Sequence, residues 1–285
     1  MAVKNPNRFG TLMMLGASLC FSTGGILCKF IPWSPLTISG VRSIFSLLVF
    51  GLYLLLAHHK LKFNPTVLFG ALCMFGVSTL FIVANKLTTA ANAIILQYTA
   101  PVWIILFMAV LFHVRPKKLD LITIVIVVAG IVCFFLDSIG SGNMMGNICA
   151  VLAGMCYAVV FMLNQFPKGD SISSIFFGQV LAAIVLSPNV IHETNFEPKT
   201  LLAVFLLGAV QVGCAYIFFS LGTKYIQPVT ASLINGLEPV LNPIWVALFY
   251  GELITPLSLV GAVIVVGAIL VYNVIGARLE AARES

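Results

Sequence analysis

Charge is what this sequence has least of. Asp, Glu, Lys and Arg make up 8% of its 285 residues, against about 25% in an ordinary soluble domain. Acids are the scarcer sign, 9 against 15 Lys and Arg, which leaves a formal net charge of +6. Polar sequence is equally short, with no room for a sizeable soluble domain. The GxxxxGK[ST] phosphate loop is absent, which excludes a nucleotide-driven engine of that type within the chain. There is no HExxH pair, no Ser/His pairing inside an apolar segment and no double carboxylate. An intramembrane enzyme is therefore a remote class. Cys-x-x-Cys spacing is missing too. The 7 cysteines (Cys20, Cys28, Cys73, Cys133, Cys149, Cys156 and Cys214) are odd in number and lie in apolar runs. They read as small packing residues, with no metal site and no disulfide set. No cofactor is indicated.

What is there is hydrocarbon. The chain is 60% hydrophobic with a mean hydropathy of +1.10, which predicts an all-α polytopic membrane protein. Spanning helices are expected near 9–30, 36–57, 66–86, 92–112, 119–137, 145–166, 172–190, 199–222, 229–249 and 255–275. The N-terminal MAVKNPNR before an apolar run resembles a signal peptide. The run from Phe9 to Phe30 is nevertheless long enough to span, and no Ala-x-Ala site closes it, so it reads as a retained first span. Loop charge then orients the chain. With the N-terminus inside, Lys4, Arg8, Lys60, Lys62, Arg115, Lys117, Lys118, Lys168, Lys224, Arg278 and Arg283 face the cytosol. Only Lys86 and Lys199 face out, so both termini are expected in the cytosol, in the plasma membrane (the inner membrane of a bacterium). Positive charge used this way implies no nucleic-acid partner.

The sequence repeats itself. TAPVWIILFMAVLF lines up with LEPVLNPIWVALFY, setting Pro101 against Pro239, and DLITIVIVVAGIVCFF lines up with PLSLVGAVIVVGAILVYN. GTLMMLGASLCF lines up with GNICAVLAGMCY, which sets Cys20 and Phe21 against Cys156 and Tyr157. The halves are therefore 1–138 and 139–285, each with five expected spans. An odd number turns the second half upside down relative to the first. Inverted repeats with helices interrupted at matching depth predict a secondary carrier whose site lies where the repeats meet.

The stretch Val229–Glu252, VTASLINGLEPVLNPIWVALFYGE, carries the strongest functional signal. It is apolar enough to cross a bilayer, yet it holds Glu238, Pro239 and Pro243. An ionised carboxylate at mid-depth costs about 2.5–3.5 kcal/mol even on the lenient insertion scale. Each proline removes a backbone donor and is expected to bend or open the helix. Helical spacing from Glu238 puts Asn235, Asn242 and Trp245 on its face. Two readings of that polar stripe stand: a cavity wall where Glu238 meets a cationic or hydrogen-bonding substrate or carries a proton, or a carboxylate buried for structure and satisfied by the asparagines or by backbone groups freed at Pro239. The matching stretch of the fourth span offers Gln97, Tyr98 and Pro101, with Ala100 opposite Glu238, so the site is expected to be lopsided. Gln97 aligns with Asn235 and is either a cavity residue or interhelical glue worth about 0.6 kcal/mol. Phe21, Tyr157 and Tyr216 lie inside spans as a candidate aromatic box. Ordinary packing is the alternative for each, weakest for the two tyrosines, whose hydroxyls need partners.

Over nearly its whole length the chain resembles the ten-helix branch of the drug/metabolite transporter superfamily, built from two EamA-type repeats. The resemblance is carried by AANAIILQYTAPVWIILFMAVLF, by TASLINGLEPVLNPIWVALFYGELITPLSLVGAVIVVGAIL and by Arg42 in LTISGVRSIFSLL. The family's glutamate after the fourth helix is present in the second repeat as Glu252, whereas the first has Val114 there. The resemblance implies a central cavity lined mainly by helices 1, 3, 4, 6, 8 and 9, and often export.

The remaining polar residues have plainer readings. Arg42 is expected to snorkel outward, with an outer gate or a pairing acid as alternatives, and Lys29 and Lys86 read the same way. Trp33 is expected as an interface anchor, His58 and His59 as solvated loop residues, and Asp137 and Asp170 as loop edges. The small-residue series Gly146, Ala150, Gly154, Ala158 and Gly16, Cys20, Gly24 read as packing seams. The expected function is alternating-access transport of a small amine, amino acid or similar amphipathic metabolite, with the lipid bilayer as surroundings and protons as the candidate coupling ion. The alternative is an importer or uniporter of a neutral metabolite. Monomer and homodimer both remain open.

Overall fold

Prolines and short polar side chains set where the helices begin. Pro35, Pro65, Pro198 and Pro256 each stand in a first helical turn, where the missing N–H would have no partner anyway. Ser34, Asn64, Thr89 and Asp170 accept from the amides of Thr37, Val67, Asn92 and Ser173. Such a cap contributes about 1 kcal/mol.

The computed structural model describes residues 6–113, 115–137, 143–163, 166–222, 225 and 234–284. The first half comprises α1 (Pro6–Ser22), α2 (Gly24–Phe30), α3 (Pro35–Ala57), α4 (Pro65–Leu87), α5 (Ala90–Gln97), α6 (Ala100–Leu111) and α7 (Lys118–Asp137). The second comprises α8 (Met144–Met162), α9 (Ser171–Leu186), α10 (Pro198–Leu206), α11 (Ala215–Gly222), α12 (Glu238–Tyr250) and α13 (Pro256–Glu284). A 3₁₀ turn (Ser187–His192) prolongs α9, and a π-helical stretch (Leu207–Cys214) joins α10 to α11. Among the described residues 9 helices are long and apolar enough to cross a membrane. Lys4, Val114, Lys224 and residues 229–233 of the expected ninth span lie outside the described residues, and the Arg283 side chain is not described.

Several expectations need correcting. The first span is two helices, broken at Thr23, because Gly24 and Gly25 follow there. The sixth ends at Met162, short of residue 166; the tenth span lies over Pro256–Gly276, as expected, and its helix α13 continues to Glu284. The eighth is π-helical in its middle. The helix of the ninth runs through Pro243 unbroken, with that proline inside it, so the interruption belongs to Gly236 and Leu237, just ahead of Pro239. In the fourth span the break falls at Tyr98 and Thr99, just ahead of Pro101.

Packing shows the twofold relation of the halves. Numbering the spans in chain order, the third packs on the sixth (α4 on α8) and the first on the eighth (α1 on α11). Likewise the third packs on the seventh (α4 on α9) and the second on the eighth (α3 on the π stretch). The second and seventh, fourth and ninth, and fifth and tenth spans meet each other. Each of these pairings survives exchange of the halves. Five spans in the first half make that relation an inversion through the membrane.

Close approach depends on glycine. A Cβ at Gly40 would collide with the backbone of Ser187, and one at Gly208 with the Arg42 carbonyl oxygen. On α8, a Cβ at Gly154 would stand 2.8 Å from the Gln97 carbonyl oxygen, where the fourth span breaks. The small-residue seam of the sixth span thus abuts the interrupted helix.

Polar groups join the ends. At the Trp33 end, Lys29 pairs with Glu252 at 2.7 Å, and Glu252 also accepts from the Ala90 amide at 2.7 Å. Lys86 donates to the Ile31 carbonyl. Trp33 is 3% exposed and donates to the Asn195 carbonyl at 2.6 Å. None of these three side chains snorkels or anchors at a lipid interface: a carboxylate or carbonyl within reach offers each a fixed partner. Asp137 accepts from Thr255 and Ser258 at 2.7 and 2.9 Å, holding the start of α13. At the opposite end His59 is no free loop residue, since its Nε2 lies 3.3 Å from Asp170. Burial works to raise the Asp170 carboxyl, but hydrogen bonds from the Ser173 hydroxyl and amide and from His59 outweigh it, so its pKa lies below the ordinary value.

Two outcomes test this packing. Gly208→Ala is expected to lower unfolding stability by about 1–3 kcal/mol through overpacking, while Gly267→Ala, with nothing within 4 Å, is expected to be nearly neutral; thermal unfolding in detergent compares them. A carboxyl with a depressed folded pKa stabilises above its unfolded pKa, about 3.9, and loses that contribution as pH falls through the folded value. Asp170→Asn is therefore expected to lower Tm at pH 7, with the difference from wild type closing as pH drops below about 4.

Candidate functional site

Three interrupted helices and the π stretch bring polar side chains to mid-depth. Glu238 is the first residue of α12, a helix of 13 residues. Its carboxyl therefore sits at the positive end of the helix dipole, which favours an anion. Gln97 is the last residue of α5, immediately before the break. In the π stretch the widened turn carries Gln211, and such turns recur at functional sites.

These residues surround a chamber with about 30 Å³ open to the centres of water-sized spheres, room for roughly two waters. Glu238, Gln97, Tyr157 and Phe21 line it from the ninth, fourth, sixth and first spans. Gln211, Val212 and Tyr216 come from the eighth, Met74, Val77, Ser78 and Phe81 from the third, and Arg42 from the second. All are buried, Glu238 at 7% and Arg42 at 2% exposure. The implied lining by helices 1, 3, 4, 6, 8 and 9 is thus joined by the second helix through one side chain.

Polar contacts inside the chamber are sparse, and among the described residues the partners of Arg42 and Glu238 are neutral. Asn235 Nδ2 donates to Glu238 at 3.5 Å, the long limit of a hydrogen bond. Arg42 donates from Nη1 to Gln211 Oε1 at 3.1 Å and from Nη2 to the Ser78 carbonyl and hydroxyl at 2.8 Å. Snorkelling is thereby overturned for Arg42. Ser39, Ser43 and Ser46 share its helix face and are all buried, so that face turns to the protein interior. In the chamber wall Phe21 packs edge-on to Tyr216 with centroids 4.9 Å apart, and Tyr157 lies 4.5 Å from Phe161.

Other expected site residues are placed elsewhere. Asn235 is 2% exposed and reaches the chamber through Glu238. Asn242 is fully buried against Gly25, where a Cβ would collide with its Oδ1. Trp245 donates to Ser22 Oγ at 3.1 Å, tying the ninth span to the break in the first. Tyr98 is buried at 6% exposure beside the break in the fourth span and is not part of the lining. Sequence reasoning missed Gln211 and Ser78, and it misplaced Arg42. The readable signals were the serines at helical spacing around Arg42 and a glutamine flanked by Gly208 and Gly213 inside an apolar run.

Comparison with known proteins agrees with this architecture. The EamA-like transporter family matches twice, over residues 8–136 and 144–274. An uncharacterized transporter of Archaeoglobus fulgidus is 22% identical over 267 residues, covering 93% of this chain and 96% of its own. The uncharacterized transporter YwfM of Bacillus subtilis is 26% identical over 284 residues, covering 92% and 93%. A crystal structure with a TM-score of 0.68 and 20% identity covers 94% of this chain and 98% of that one, which shows the shared fold. Two family matches spanning the two halves establish that the chain belongs to the EamA-like transporter family and is an integral membrane transporter, not an enzyme.

Proposed function

We propose that the chain is a secondary carrier that moves a small aminated metabolite, an amine, amino acid or similar amphipathic compound, by alternating access. The observation that carries this reading is the chamber itself. A buried acid stands where interrupted helices from both repeats meet, and non-helical backbone at membrane depth is tolerated only inside protein or beside a cavity. Substrate engages Glu238 and Gln97, with Phe21, Tyr157 and Tyr216 as its apolar and aromatic walls. Asn235 positions the carboxyl, while Asn242 and Trp245 hold the ninth span against the broken first. The breaks beside Pro101 and Pro239 serve as hinges. Glu238 also carries the coupling proton, and transport runs outward from the cytosol. The domains of this motion are the repeats 1–138 and 139–285, with both termini in the cytosol of a plasma (bacterial inner) membrane.

The Trp33 end is then the outer side. Lys29, Glu252 and the Ala90 amide form a latch there between the first, ninth and fourth spans. In the small chamber described, the carrier is near its occluded form, and substrate requires the aromatic walls to part.

Glu238→Gln is expected to slow counterflow in proteoliposomes at least about tenfold, as loss of one charge-assisted contact implies, with expression close to normal. Unchanged turnover and unchanged pH dependence would make the acid structural and move the site to the aromatics. For the latch, Lys29→Gln and Glu252→Gln are each expected to lower Tm. Their effects are expected to be non-additive by about 0.5–3 kcal/mol in a double-mutant cycle; simple additivity would leave the two residues unlinked.

A further inference from the structure

The first span ends in a short, separate helix with two unpaired amides behind it. α2 has 7 residues and is cut from α1 at Thr23. Three contacts hold its far end. Lys29 pairs with Glu252 at 2.7 Å and donates to the Thr88 carbonyl at 3.2 Å, and Lys86 donates to the Ile31 carbonyl. Its near end lies flat on the chamber wall. A Cβ at Gly24 would stand 3.0 Å from Gln211 Nε2 and 3.3 Å from Phe81, both residues of the lining.

α4 and α12 both pack on α2, and each brings an asparagine. Asn85 stands one turn beyond Phe81 and Asn242 one turn beyond Glu238, both toward the Trp33 end. A Cβ at Gly25 would collide with Asn242 Oδ1. Both asparagines are fully buried. Among the described residues they are the two whose side-chain N and O both lack a hydrogen-bond partner. An unpaired buried amide costs free energy that water would return. On the opposite side of the chamber the next turns carry Ala71 beyond Met74, Phe161 beyond Tyr157 and Phe219 beyond Tyr216, all apolar. The polar step therefore belongs to one exit.

We propose that α2 is the lid of the outer exit, and that Asn85 and Asn242 line the passage it uncovers. The proposal rests on the carrier reading. The lid turns about Thr23 and the two glycines after it. Lys29 and Lys86 hold it shut, while wetting of the two amides favours its lifting. These opposed terms make it a two-state element. Each amide also offers donors and an acceptor to a departing solute, whatever its charge.

The test uses the full chain with Cys28 as its sole cysteine, the other six being replaced. Cys28 is fully buried on α2, so a membrane-impermeant maleimide reads the lid directly. It is expected to react slowly from outside in intact cells, and not from the cytosolic face of inside-out vesicles. Lys29→Gln is expected to speed the outside reaction about fivefold or more. Asn85→Leu, Asn85→Ala and Asn242→Leu are expected to slow it by about as much, the factor set by one buried polar contact. Leucine and alanine bracket the volume of asparagine, so a misfit in one leaves the other to decide. An equal or faster rate in both Asn85 variants overturns the proposal. So does Cys28 that stays inert even with Lys29→Gln, or that reacts from the cytosolic face alone. Val77→Cys, in the chamber wall of a chain lacking Cys28, reports the carrier separately. Its modification from both faces, with Cys28 sealed, sinks the lid and keeps the carrier. A lid that opens over a Val77→Cys variant never reached from the cytosol keeps the lid and sinks the alternation.

Discussion

A lipid interior offers no water to an unpaired backbone group, and each such group costs several kcal/mol there. That constraint decides where this chain can interrupt its helices. Tyr98, Thr99 and Gly236 at the breaks are buried, Thr23 is half-buried and Leu237 alone of these is exposed, while the π stretch Leu207–Cys214 is almost wholly buried. Specific neighbours cover the breaks of the first and fourth spans and the π stretch. Gly154 abuts the carbonyls of the fourth span, Asn242 fills the space beside Gly25, and a Cβ at Gly24 would stand 3.0 Å from Gln211 Nε2. The freed backbone and the polar amides therefore occur together, and the chamber is where they collect.

The scaffold is nearly symmetric and the charge is not. The main span contacts survive exchange of the halves. Against that background Glu238 faces Ala100 in the other repeat. Arg42 falls against Gly178 or Val180, depending on which of the two repeat registers is used. Each half thus contributes one charge that its counterpart lacks.

Hydropathy alone was enough to read the all-α membrane class and most of the spans, because about twenty apolar residues in a row have few other uses. Helix facing was harder. Arg42 looked like a snorkelling residue because hydropathy counts residues without saying where they point; the buried Ser39, Ser43 and Ser46 on its face carried that information. Pro243 looked like a break because proline interiors usually are, yet its helix continues. The opposite error occurred at Thr23 and in the π stretch, where no proline marks the irregularity and glycine is the only local signal. Lys29, Lys86 and Trp33 gained fixed partners from loops and helix ends distant in sequence, which no local pattern announces.

The central claim is that the chamber around Gln97 and Glu238 opens to each side of the membrane in turn. A single cysteine at its wall, Gln97→Cys in a chain whose seven native cysteines have been replaced, reports that opening to a membrane-impermeant thiol reagent. Labelling in intact cells and in inside-out vesicles is the decisive comparison. The account expects modification from both sides, suppressed in each case by a transported ligand; modification from one side only, whatever ligand is present, would contradict it.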